Sequence, residues 1–503
     1  MSGFATLSLK HKREHFRRFA TEGIDNNDAI IPCQRPDKVP VSFMQEKVIG
    51  AELEGLYDPA GMRVYCPALS YIIKVSVNIP ALDKALCEIV RRHEILRTNY
   101  TVIDGRIFQN INDAPHTVLQ ISDLRKLAQN DRKNEAERIL TEITTKPFSF
   151  FDNKLMIKAA LIIADEEEYI LTVITNHIAT DGLSMMILQK ELFVLYQAFF
   201  YNTPSPLLEL PIQYVDFIMW EQKRYSGEFL EKKLDYWRRV PSTINTFLPV
   251  DHVSAETSYF GDIVPVSILQ ELVKRLLLLG RNNNFTLFTV LFSAFATLIH
   301  AFSGYKYNFF CVPVANRIRK ETHSVIGCFT NFQFVYVNLE GNPTFMELVE
   351  RVHKTLLDVY DNYVPFNFVT EVIPPQGPVV EFQLQTSLDL AAPSVNRQSP
   401  QDESRTAASP TPPESSFKSA SGSLAVLPFR LTQSEFALFP IDVLLSGTPA
   451  GVSGHFKYQT ASYDRSTILK LVNDYVVLLT KLVRNPDMRI NEMGIKPHPG
   501  AAV

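Results

Sequence analysis

The chain has 503 residues, 46% hydrophobic and 21% charged, which is ordinary globular composition and enough for two domains with full cores. Its formal charge of −4 gives no bulk electrostatic attraction to nucleic acid or to an anionic membrane. The five cysteines, Cys33, Cys66, Cys87, Cys311 and Cys328, are scattered without a C-x-x-C pair, so neither a disulfide framework nor a zinc site is indicated and a reducing compartment is expected. Met1 to Lys38 is polar and rich in basic residues (Lys10, Lys12, Arg13, Arg17, Arg18) with no apolar run of signal-peptide kind, and reads as a loosely attached extension. No stretch reaches the roughly 20 apolar residues that span a bilayer, Thr286 to Phe302 coming nearest. A soluble, cytoplasmic monomer is the expectation.

The first element after the extension is a polar helix start at Ser42 to Lys47. Leu82, Leu86, Ile89 and Leu96 recur at helical spacing and predict a helix with one buried stripe, ending in Arg92-His93-Glu94-Ile95-Leu96-Arg97-Thr98. His93 falls in phase with that stripe, which predicts packing; Arg97 is either a buried ion-pair partner or a solvated charge. Leu155 to Ile163 and Tyr169 to Thr175 are apolar and β-branched, and the acidic run Asp165 to Glu168 between them predicts a hairpin. After Gly182, the residues Leu183, Met186, Ile187 and Val194 predict the apolar face of a helix.

His177 therefore stands where a strand ends and a helix begins, a place where a loop can aim an imidazole into a cleft from a rigid base. Asp181 and Gly182 follow it in the pattern H-x-x-x-D-G. Proline-rich residues 202–207 mark a boundary between lobes at 39–205 and 206–503. Beyond it, Thr286 to His300 predicts a central helix capped by Thr286 and stopped near Gly304, Tyr307 to Val314 and Phe332 to Val337 predict strands, and Thr344 caps a further amphipathic helix. Ala391 to Ser423 is dense in Pro, Ser and Ala and predicts a disordered insertion.

The pattern around His177 resembles the HHxxxDG core of nonribosomal peptide synthetase condensation domains, within the chloramphenicol-acetyltransferase-like acyltransferases. Other segments resemble further motifs of that family in order: Ser42 to Lys47 the S-x-A-Q-x-R motif, Arg92 to Thr98 RHExLRT, Tyr214 to Trp220 YxDFAxW, Pro313 to Arg317 PVANR, Ile326 to Asn331 IGxFVNT, and Asn362 to Phe366 QDYPFE. The resemblance runs from about Pro40 to Met493.

It implies an α/β fold with mixed sheets, two similar lobes in a V and a central tunnel, entered by the phosphopantetheine arms of acyl or peptidyl carrier proteins supplied in trans. No bound cofactor or metal is implied. His177 would act as general base or as a hydrogen-bond partner that orients the acceptor amine, and Gly182 would keep the tunnel clear and face its N–H to the developing oxyanion. Asp181 would be structural and paired with Arg317, with Arg97 as the other candidate; Asn176 replaces the first motif histidine; Asn331 and Ser184 would line the tunnel. The expected reaction joins a carrier-bound acyl thioester to an amine or hydroxyl acceptor in secondary metabolism. The alternatives are a coenzyme A-dependent acyltransferase acting on a small-molecule acceptor and a non-catalytic module that docks carrier proteins.

Overall fold

A computed structural model describes residues 29–54, 66–146, 148–152, 154–240, 248–253, 258–374, 379–385, 426–428, 437–448 and 451–501. The N-terminal half runs β1 (Val39–Pro40), α1 (Phe43–Leu53), β2 (Ala68–Ile73), α2 (Ile79–Arg92), β3 (Thr98–Ile103), β4 (Arg106–Ile111), β5 (Leu119–Asp123), α3 (Gln129–Thr145), β6 (Ile157–Asp165), β7 (Glu168–Thr175) and α4 (Gly182–Phe200). The remainder runs α5 (Tyr214–Arg224), α6 (Gly227–Trp237), β8 (Gly261–Leu269), α7 (Gln270–Asn282), α8 (Leu287–Ser303), β9 (Tyr307–Val314), β10 (Asn331–Asn338), α9 (Phe345–Asp361), α10 (Phe366–Val372), β11 (Val380–Gln385), β12 (Val426–Pro428), β13 (Ile441–Thr448), β14 (Gly451–Gln459) and α11 (Arg465–Arg484).

Each half is built around its own mixed sheet. In the first the strand order is β12-β2-β7-β6-β5, with β6 and β7 joined as the expected hairpin and β7 buried along nearly its whole length. In the second the order is β10-β9-β11-β13-β14-β8, and its alternating apolar residues Phe310, Val312, Val380, Phe382, Val443 and Phe456 pack into one core with α8. α8 matches its expected ends: Thr286 accepts from the Thr289 amide at 3.1 Å, and Gly304 closes the helix at φ 79°, a backbone conformation that side chains disfavour. Thr344 and Glu347 form a reciprocal capping box at the start of α9.

The expected insertion at 391–423 lies outside the described residues. Several other expectations need correction. The extension is not loose throughout: from residue 29 on it is strapped down, Ile30 being buried, the Cys33 amide donating to Asp216 Oδ1 at 2.9 Å, and Arg35 bridging Asp216 and Glu94. The cores do not part at 205/206, because Tyr214, Phe217 and Ile218 of α5 belong to the N-terminal core, and so do Val325, Ile326, Cys328 and Phe329 from the β9–β10 connection. β12 likewise comes from the second half of the chain to pair antiparallel with β2. α4 turns a different face inward: Met185, Leu188, Leu192 and Leu195 are buried, while Leu183 and Met186 are 41% and 56% exposed.

Candidate active site

The loop carrying His177 is fixed before its side chain is considered. Asn176 closes a turn by accepting the Ile178 amide at 2.8 Å on Oδ1, and its carbonyl takes the Ala179 amide and the Thr180 hydroxyl at 3.0 and 3.1 Å. From the outside, Gln45 reaches across with Nε2 to the Ile178 carbonyl at 3.0 Å and to the Tyr100 hydroxyl at 2.9 Å. Gln45 is itself held by the capping box it forms with Ser42. The polar helix start at Ser42 thus buttresses the loop next to the imidazole.

His177 is partly exposed, with Nδ1 3.7 Å from Cys328 Sγ. Burial lowers its pKa below the ordinary 6.5, against an opposite pull from the Asp181 carboxylate and from a hydrogen bond with its own backbone. At neutral pH the ring is therefore an uncharged base. Burial raises the Cys328 thiol far above its ordinary range, so it is no thiolate nucleophile.

Asp181 is the N-cap of α4, and it is 1% exposed. Its Oδ1 accepts the Ser184 amide at 2.7 Å and Arg317 Nη2 at 3.0 Å, and its Oδ2 accepts the Phe329 amide at 3.1 Å. The pairing with Arg317 is present, but by one bond rather than two. The guanidinium divides its donors: Nη1 goes to the Thr322 and Val325 carbonyls at 2.6 and 2.7 Å, Nη2 also to Ser184 Oγ at 2.7 Å, and its plane lies 4.1 Å over the Phe329 ring. With every oxygen directed into the protein, the Asp181 carboxylate is structural.

The same network straps residues 325–329 onto the N-terminal half. The Ile326 amide donates to His93 Nδ1 at 3.2 Å, the Gly327 amide to Ser184 Oγ at 3.0 Å, and the Tyr214 hydroxyl donates to the Cys328 carbonyl at 2.7 Å. His93 is fully buried, as its phase predicts, and its Nε2 meets Glu191 Oε2 at 2.9 Å while Arg92 holds the other oxygen at 3.1 Å. Gly327 has no room for a side chain: a Cβ there would overlap the Tyr214 ring and stand 2.8 Å from Phe329 Cε2.

Gly182 is the first residue of α4 and is exposed; a Cβ there would meet only Gln385 Nε2, at 3.9 Å. Asp181 satisfies the Ser184 and Met185 amides of the first turn through Oδ1 and its carbonyl. Those of Gly182 and Leu183 have no acceptor among the described residues, so the first turn of α4, five residues past His177, presents an unsatisfied positive terminus. A condensation-domain family model matches residues 36–500. The chain belongs to the condensation-domain family.

Its relatives include a linear gramicidin synthase from Brevibacillus parabrevis, 31% identical over 461 residues that make up 91% of this chain and 9% of that protein. Malpinin synthetase of Mortierella alpina is 28% identical over 476 residues, 92% of this chain and 6% of that protein. The condensation domain thus spans less than a tenth of the length of these relatives. Among solved structures, the X-domain in complex with OxyB from teicoplanin biosynthesis has a TM-score of 0.77 at 21% identity, over 93% of this chain and 98% of that one. The first condensation domain of the calcium-dependent antibiotic synthetase with a substrate analogue has a TM-score of 0.68 at 15% identity, over 91% and 99%. Both share its fold.

Not every expected residue gathers at this site. Ser184 and Asn331 do not line an open wall: Ser184 is fully buried within the Arg317 network, and Asn331, 2% exposed, spends its Oδ1 on the Phe332 and Phe366 amides. Arg97 does not join Asp181; its Nη1 donates to the Asn112 carbonyl. Gln45, Glu191 and the strap at 325–329 were absent from the expected site. The S-x-x-Q spacing was the one sequence signal for Gln45, and Glu191 had none, because it meets His93 only through the packing of α2 on α4.

Proposed function

We propose that this condensation domain is an acyltransferase that joins a carrier-protein-bound acyl or aminoacyl thioester to an amine or hydroxyl acceptor in nonribosomal peptide-type biosynthesis. The observation that carries this reading is an uncharged His177 on a braced loop that runs into the N-terminus of α4, with Asp181 turned away into the Arg317 network. Acceptor nitrogen or oxygen attacks the thioester carbon, and His177 takes the proton that the acceptor must lose. The oxyanion of the tetrahedral state is stabilised by the α4 terminus at Gly182 and Leu183, and collapse expels the phosphopantetheine thiolate, which is reprotonated. Preorganised amides of this kind are worth on the order of 10²–10³ in rate, and general-base help about 10²–10⁴. The thiol-bearing arm enters as substrate, with carrier proteins as partners in trans.

The test is to incubate the domain with acyl-loaded carrier protein, or with acyl-coenzyme A, plus amine acceptors, and to follow the acyl group by mass spectrometry. Transfer from the carrier is expected. Transfer from coenzyme A alone would replace the carrier-dependent reading, and transfer from neither would favour a second one. That second reading is a docking module for a partner enzyme, favoured by the fold likeness to the X-domain captured with OxyB.

A further inference from the structure

Side chains of β11 alternate between two environments. Val380, Phe382 and Leu384 enter the C-terminal core, so Glu381, Gln383 and Gln385 occupy the opposite face. Gln385 ends that row against Gly182, its Nε2 lying 3.9 Å from where a Cβ would stand, so this end of the face lies at the first turn of α4. Four residues back along the strand, Glu381 lies roughly 13 Å deeper at about 3.3 Å per residue.

Register places Glu381 between Cys311 of β9 and Asp442 of β13, and Asp442 beside Lys457 of β14. Glu381 is 8% exposed, yet among the described residues its carboxylate has no hydrogen bond and no ion pair. Lys457 lowers both acids electrostatically without forming an ion pair with either. Lys47 of α1 stands over the Phe366 ring, its ammonium 4.2 Å from the centroid. Burial and mutual repulsion push Glu381 well above the usual carboxylate range, and burial lifts Asp442 to about 6.

A glutamate buried without a partner is a costly way to fill a strand position that glutamine would fill at less expense. We propose that Glu381 and Asp442 form a subsite for a side-chain primary ammonium of the substrate held between the lobes, selecting a lysine-like side chain over its neutral isostere. The ammonium would donate to the Glu381 carboxyl group and hold it ionised against the burial that otherwise keeps it protonated. This inference rests on the acyl-transfer reading and narrows its substrate class.

The test compares two non-hydrolysable pantetheine amides by calorimetry, one of lysine and one of 2-aminoheptanoic acid, in which a methyl replaces the terminal ammonium. Wild-type protein should bind the lysyl amide at least about tenfold more tightly, as a charge-assisted hydrogen bond gives. The Glu381→Gln/Asp442→Asn double variant, close to isosteric, should bind both alike, at the wild-type affinity for the aminoheptanoyl amide. Equal affinities in the wild type, or a preference that survives in the double variant, would overturn the subsite. If neither amide binds, the pantetheine-dependent reading fails, and n-pentylammonium against n-pentanol, followed by thermal shift, still decides the subsite. A cation-specific shift lost in the double variant upholds it, and no cation-specific shift rejects it.

Discussion

His177 is a usable base at neutral pH because burial outweighs the pull of Asp181 on its proton. Activity should therefore hold from neutrality down past pH 6.5 and fall along an acid limb below the ordinary histidine value; a limb above 6.5 in the pH–rate profile would contradict this. His93 is depressed as well, chiefly by burial. Both rings bind fewer protons folded than unfolded, so stability should decline as pH falls from 6.5 toward their lower folded values, measured as a falling urea midpoint. Asp181→Asn keeps a capping oxygen but strands Arg317 in the interior, and should cost about 3–5 kcal/mol in denaturant unfolding, with activity lost alongside. Gly182→Trp meets no backbone and should fold normally, yet it fills the space beside the helix terminus. Its transfer rate should fall sharply with the melting temperature preserved.

At the scale of elements, the strap at 325–329 is what turns two sheets into one site. It delivers the Phe329 amide to Asp181, the Cys328 thiol to His177 and the Gly327 amide to Ser184. Gly327→Ala should therefore displace the Tyr214 ring and cost about 1–3 kcal/mol as an overpacked core position, and a crystal structure of the variant should show the strap shifted from Ser184. Much at this scale was legible in the sequence. Caps at Thr286 and Thr344, the β6–β7 hairpin and the pairing of Asp181 with Arg317 follow from local spacing or from motif resemblance. The buried face of α4 was not legible, because Leu183 and Met186 share the helical period with a core stripe and only tertiary context exposes them. Ser184 and Asn331 were misplaced for a related reason: motif proximity says that a residue is near the site, and hydrogen bonding decides whether it faces the substrate or the scaffold.

For the whole molecule, composition indicates two cores but not how the chain shares them. α5, the strap and β12 all leave the C-terminal half to complete the N-terminal one, contacts separated by too much sequence for periodicity to reveal. A fragment ending at residue 205 lacks all three and should fail to fold alone, while the full chain should unfold in one calorimetric transition; two separated transitions would show that the lobes are independent. The central claim, that His177 moves the acceptor proton in an acyl transfer, is tested most directly by single-turnover mass spectrometry of an acyl-loaded carrier protein with wild type and His177→Ala side by side. Loss of about 10²–10⁴-fold in the transfer rate is predicted, with an unchanged melting temperature, since the bonds that brace the loop come from Asn176, Thr180 and Gln45. Equal rates in the two proteins would contradict it.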